Sequence, residues 1–167
     1  ATAGIRDPKA AVDAINSFAP RFAALGWHIQ INTELPIVAA IASTVGSLRV
    51  PVVFDHMANL EAQLGANQPG FGALVELVRA GNTYVKLSAP YNLSRRQDYA
   101  DVIPLAKALI ATRADRMLWG TNWPHPGTAR GLPLGQITPY RKINNPGLVR
   151  TLERECPDAT MRKMILV

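Results

Sequence analysis

The chain has 167 residues, 48% of them hydrophobic, and carries a net charge of +6. That length suffices for one domain with a true core. No apolar run reaches membrane-spanning length, and the basic residues lack the aromatic-interleaved stripe of a nucleic-acid binder, so neither a membrane nor a nucleic acid is expected as a partner. A single cysteine, Cys156, excludes an intrachain disulfide and a thiolate metal cluster, and suits a reducing, cytoplasmic compartment.

Residues 7–25 read as a helix: Asp7 is placed to cap it, Pro8 suits its first turn, and Pro20 is expected to kink or divide it. A strand over 27–32 follows, and alternation puts His28, Gln30 and Asn32 on one face. Residues 35–45 predict a helix after Pro36. The apolar run 48–54, ahead of Asp55 and His56, reads as a buried parallel strand. Residues 57–70 predict a loop and 71–79 a helix closed by Gly81. A short strand over 83–88, TYVKLS, leads into a loop at 90–94. Residues 97–113 read as a helix kinked at Pro104, 127–146 as a long irregular loop, and 148–155 and 161–167 as two last helices.

The stretch 116–126, RMLWGTNWPHP, is the centre of the pattern. Its apolar opening predicts a strand over 116–121, and two prolines stiffen the loop that ends it. Thr121, Asn122 and His125 then sit where a strand stops, the place where functional groups gather in parallel α/β proteins. The alternation of helix and strand predicts an α/β fold with a parallel sheet, strands near 27–32, 50–55, 83–88 and 116–121. His28, Asn32, His56, Ser88 and Asn122 are expected toward one end of it. There is no GxGxxG or Walker glycine pattern.

The segments GWHIQIN, VPVVFDHMA, YVKLSAPYNLS and WGTNWPHP, in this order and spacing, resemble the amidohydrolase-related TIM-barrel hydrolases, and most of all the branch of 2-pyrone-4,6-dicarboxylate lactonase and the sugar-lactone hydrolases. The resemblance implies a (β/α)8 barrel with this chain, residues 1–167, covering roughly strands 5 to 8 as one partial domain. A full barrel needs roughly 250 residues, and the family's HxH pair is absent. The missing half of the barrel, or a second chain, is therefore expected as a partner. The implied activity is metal-dependent-family hydrolysis, most simply opening the lactone of a small sugar-acid or dicarboxylate-type substrate. Lactone isomerisation and a catalytically inactive scaffold are the alternatives.

The resemblance implies catalytic roles for His56 and Asn122, and substrate contacts for His28, Gln30, Asn32, Lys86, Ser88, Tyr91 and His125. Asn122 stands where many relatives carry an Asp that activates water. An amide cannot accept that proton, which leaves His56 or His125 as the base. Lys86 suits a substrate carboxylate or an oxyanion, and equally an ion pair inside the barrel. Asn92 stands where some relatives have an Arg for a substrate carboxylate. The three histidines lie on different elements, so no metal or other cofactor is expected on this chain. Zinc belongs to the full-length family pattern. Trp27, Trp119 and Trp123 are expected in the core and pocket wall.

Overall fold

The computed structural model describes residues 7–127 and 138–166. Four short strands alternate with helices: α1 (Pro8–Ala24), β1 (Ile29–Ile31), α2 (Leu35–Ser47), β2 (Val52–Phe54), α3 (Phe71–Ala80), β3 (Thr83–Ser88), α4 (Pro90–Leu93), α5 (Ile103–Arg113), β4 (Met117–Gly120), α6 (Asn145–Glu155) and α7 (Ala159–Leu166). The strands form one parallel sheet in the order β1-β2-β3-β4. Each strand pairs with the next in sequence, as crossover helices laid on one face require.

The two faces of the sheet differ sharply. Ile29, Ile31, Val52, Phe54, Val85, Leu87 and Met117 point at the helices and are buried in the main core. That core also takes Val38, Ile41 and Val45 from α2, Leu74 and Val78 from α3, and Leu105 and Leu109 from α5. Period-two alternation then sends Gln30, Lys86, Ser88 and Leu118 to the opposite face, where they line a cleft. Register pairs Lys86 with Leu118 and Ser88 with Gly120, so the polar groups come level at the carboxyl ends of the strands.

Local chemistry accounts for most boundaries. Asp7 accepts from the Lys9 and Ala10 amides at 3.1 and 3.3 Å and caps α1. α1 runs unbroken through Pro20, contrary to the expected division: Pro20 lies on the exposed face, where a released carbonyl is solvated. Pro104 starts α5 instead of kinking it, because the first turn has no use for the missing N–H. Ahead of it, residues 94–102 form turns, tied by Ser94 to Asp101 at 2.5 Å and by the Arg96–Asp98 ion pair. Gly70 precedes α3 at φ 90°, and a Cβ there would meet the Leu35 carbonyl oxygen at 2.2 Å. Only glycine fits that contact.

Further expectations are corrected. The loop expected over 57–70 opens instead on a tight turn over 55–59, and α4 replaces the expected loop after β3. α6 begins at Asn145, ahead of the expected 148, with Asn144 accepting from the Gly147 amide at 3.2 Å. Trp27 and Trp123 are 58% and 76% exposed; Trp27 reaches only the Phe22 ring of α1, at 5.9 Å, and of the three only Trp119 packs on the core and lines the cleft. Part of the expected 127–146 loop, residues 128–137, lies outside the described residues.

Candidate active site

The cleft at the carboxyl end of the sheet has a volume of about 340 Å³. Gln30, Asp55, His56, Lys86, Ser88 and Asn122 supply its polar lining, and Leu118 and Trp119 its apolar wall. Each strand contributes near its carboxyl end. Of the predicted site residues, the structure thus brings Gln30, His56, Lys86, Ser88 and Asn122 to one cleft.

Gln30, Asp55 and Lys86 close a ring on three strands. Lys86 Nζ lies 2.8 Å from Gln30 Oε1 and 3.0 Å from Asp55 Oδ1, and Gln30 Nε2 donates to Asp55 Oδ2 at 2.6 Å. Lys86 therefore meets the ion-pair expectation while keeping its head in the cleft. Asp55, 8% exposed, is the carboxylate of the site, and the sequence had given it no site role.

His56 turns away from Asp55. Its Nδ1 lies 2.7 Å from Ser88 Oγ, and its Nε2 has no hydrogen-bond partner among the described residues. Burial pulls its pKa below the ordinary imidazole value; Asp55 opposes this and Lys86 adds to it. The ring is therefore neutral at neutral pH, with the Nε2 edge available to a ligand. The backbone sets this aim at a cost. His56, Met57, Ala58 and Asn59 all have positive φ, between 45° and 54°, a left-handed run that costs about 1–2 kcal/mol per residue. Burial of Met57 and Ala58 offsets it, as do bonds from Asn59 Nδ2 to Asn32 Oδ1 at 2.6 Å and to the Thr33 carbonyl at 2.9 Å.

That bond takes Asn32 out of the expected set of cleft residues: it anchors the turn that aims His56. His28 is a second departure. It precedes β1 and is exposed, at the opposite end of the strand from His56 and Asn122. Alternation is silent about height along the strand.

Asn122 sits in the left-handed region at φ 62°, which asparagine tolerates. Its Nδ2 donates to the Tyr91 hydroxyl at 3.0 Å. Tyr91 Oη in turn lies 3.0 Å from His125 Nδ1, and His125 Nε2 lies 2.8 Å from Asn145 Oδ1. Tyr91 and His125 are both buried and do not line the cleft; they stand behind Asn122. His125, offered above as an alternative base, has both ring nitrogens engaged. Burial, first of all, raises the Tyr91 pKa, against the Asn122 bond and Arg141, so the phenol keeps its proton. The Arg141 guanidinium donates to the Tyr91 carbonyl at 3.2 Å and lies 5.4 Å from the ring centre. Asn145 and Arg141 carry no motif; only packing reveals them.

The chain matches the amidohydrolase family over residues 4–165. It belongs to that family. It is 31% identical over 144 residues to 4-sulfomuconolactone hydrolase of Hydrogenophaga intermedia, a match covering 86% of this chain and 45% of the relative. It is 31% identical to 2-pyrone-4,6-dicarboxylate hydrolase of Comamonas testosteroni over 72% of this chain and 43% of the relative. It is 36% identical to D-galactarolactone isomerase of Agrobacterium fabrum over 61% of this chain and 35% of the relative. The chain spans about half the length of the curated relatives it matches. An apo crystal structure of an Agrobacterium tumefaciens protein superposes with a TM-score of 0.72 at 24% identity, covering 93% of this chain and 53% of that one. The amidohydrolase fold seen here is accordingly an open part of a (β/α)8 barrel, and its cleft is the inner face of the sheet near the barrel mouth.

Amidohydrolases commonly employ a divalent metal, and the described side chains do not form a donor set for one. No group of three His, Cys, Asp or Glu among the described residues is placed to hold an ion. His28 lies at the far end of β1, His125 is bonded at both nitrogens, and Asp55 is paired with Lys86. No helix among the described residues is long and apolar enough to cross a membrane.

Proposed function

We propose that this amidohydrolase opens the lactone ring of a small sugar-acid or dicarboxylate-type substrate, as a cytoplasmic enzyme whose barrel is completed by residues outside this chain or by a second chain. The observation that carries the reading is the neutral His56 ring, aimed into the same cleft as Lys86 and Asn122. In this reading water attacks the lactone carbonyl while His56 Nε2 takes its proton. The ring C–O bond then breaks, and the same proton passes to the departing alkoxide oxygen. Lys86 stabilises the oxyanion or holds a substrate carboxylate, at the expense of one of its two bonds in the Gln30–Asp55 ring. Asn122 orients the water. Ser88 fixes the His56 ring, and Gln30 holds Asp55.

A second reading, lactone isomerisation, is favoured by the amide at 122, since proton transfer needs no water-activating carboxylate there. A panel of lactones and sugar acids, assayed with the whole protein, separates the two by product. Asn122→Ala should lower turnover roughly 10- to 1000-fold, and His56→Ala at least as much, since general acid–base help is worth about 100- to 10,000-fold. Asn122→Asp should be tolerated by a hydrolase. Binding across the panel without turnover would sink both catalytic readings and leave a scaffold.

A further inference from the structure

The row of bonds behind Asn122 has a direction, and the direction decides what the cleft sees. Asn122 Nδ2 donates to the Tyr91 oxygen, and the single phenol proton has His125 Nδ1 as its one acceptor in the row. A nitrogen that accepts carries no proton, so the His125 proton sits on Nε2 and is given to Asn145 Oδ1. Every donor in the row has one acceptor. With Nδ2 turned back to Tyr91, Asn122 Oδ1 has no hydrogen-bond partner among the described residues and is left to the cleft.

We infer that Asn145, acting through His125 and Tyr91, is a positioning residue that holds Asn122 with its carbonyl oxygen toward the cleft, so that Asn122 accepts a hydrogen bond from the attacking water. This rests on the hydrolytic reading of the cleft. One other arrangement gives every proton in the row an acceptor: if all four groups reversed, Asn145 would donate, His125 would carry its proton on Nδ1, and Asn122 would face the cleft with its N–H₂ group. The side chain at 145 therefore selects between an acceptor and a donor at the reacting centre. Asn145 is suited to the task by its place in the first turn of α6, whose start is held by the Asn144 cap. His125 is held by its own backbone, its N–H donating to the Asn122 carbonyl at 2.8 Å and its carbonyl accepting from the Arg141 amide at 2.9 Å. The ends of the row are thereby fixed relative to each other.

Histidine ring ¹⁵N NMR of the whole protein tests the direction, with His125 assigned by its loss in His125→Gln. The Nε2–H form is expected in the wild type and in Asn145→Asp, since a carboxylate there can only accept. An Nδ1–H form in the wild type overturns the inference. In turnover, Asn145→Leu and Tyr91→Phe should lower kcat about 10- to 100-fold, the scale of a small misplacement of a reacting group, with KM nearly unchanged. Asn145→Asp should keep kcat within about threefold, because it preserves the acceptor. Full kcat in Tyr91→Phe refutes the role even if Asn145→Leu fails to fold. Should the wild type turn over no lactone, the hydrolytic reading fails, and the ring tautomer still decides the direction of the row by itself.

Discussion

Glu155→Gln should remove a large pH dependence from stability. Glu155 is the last residue of α6, is 5% exposed and makes no hydrogen bond among the described residues. It faces a cavity behind Ser88, with Trp119 and Thr151, where the space open to a water's centre is about 10 Å³, enough for one molecule. Burial drives its pKa from 4.5 up to about 8, with only Arg154 opposing. The folded value lies above the unfolded one, so folding takes up a proton. Stability is complete below about pH 4.5 and is lost as pH rises through about 8. Between pH 5 and pH 8 the linkage amounts to roughly 3 to 4 kcal/mol at about 1.4 kcal/mol per unit. Urea unfolding at both pH values, in the wild type and in Glu155→Gln, isolates it from every other titrating group. At a slope of about 2 kcal/mol per molar, the wild type should lose about 1.5 to 2 M more in midpoint than the variant. Parallel losses in the two proteins would show that Glu155 is solvated and ionised at neutral pH, and the burial argument would be wrong.

For His56, the acid limb of kcat/KM should fall below pH 6.5, because the folded ring resists protonation. Asp55→Asn should move that limb lower still, since Asp55 is the one neighbour raising the pKa; a limb that moves up would contradict the assignment of His56 as base. Gly70→Ala should lower the midpoint of thermal unfolding steeply, because its Cβ would sit 2.2 Å from a backbone carbonyl at a positive φ; an unchanged midpoint would mean that the α2–α3 contact yields freely.

The alternation of helical and strand patterns, the parallel sheet and, to within a residue, the ends of β2, β3 and β4 were legible in the sequence. These follow from burial: β2, covered on both faces, is apolar along its length and stops where polar residues begin, while β1 and β3 alternate between the core and the cleft. The same logic placed His56, Ser88 and Asn122 near one another. Periodicity names a face but not a height, so His28, grouped with Gln30 by alternation, stands ahead of β1 at the end away from the cleft. Pairing choices between side chains were beyond the sequence too. Whether His56 would turn to adjacent Asp55 or to Ser88, thirty-two residues away, depends on a left-handed backbone run that the packing of Met57 and Ala58 and the bonds of Asn59 sustain. Asn145 and Glu155 carry no local signal at all. One is joined to Asn122 through two buried rings, and the other is made neutral by what surrounds it. Both properties arise from the neighbours that the tertiary fold supplies, because hydrogen-bond direction and desolvation belong to an environment and not to a residue type.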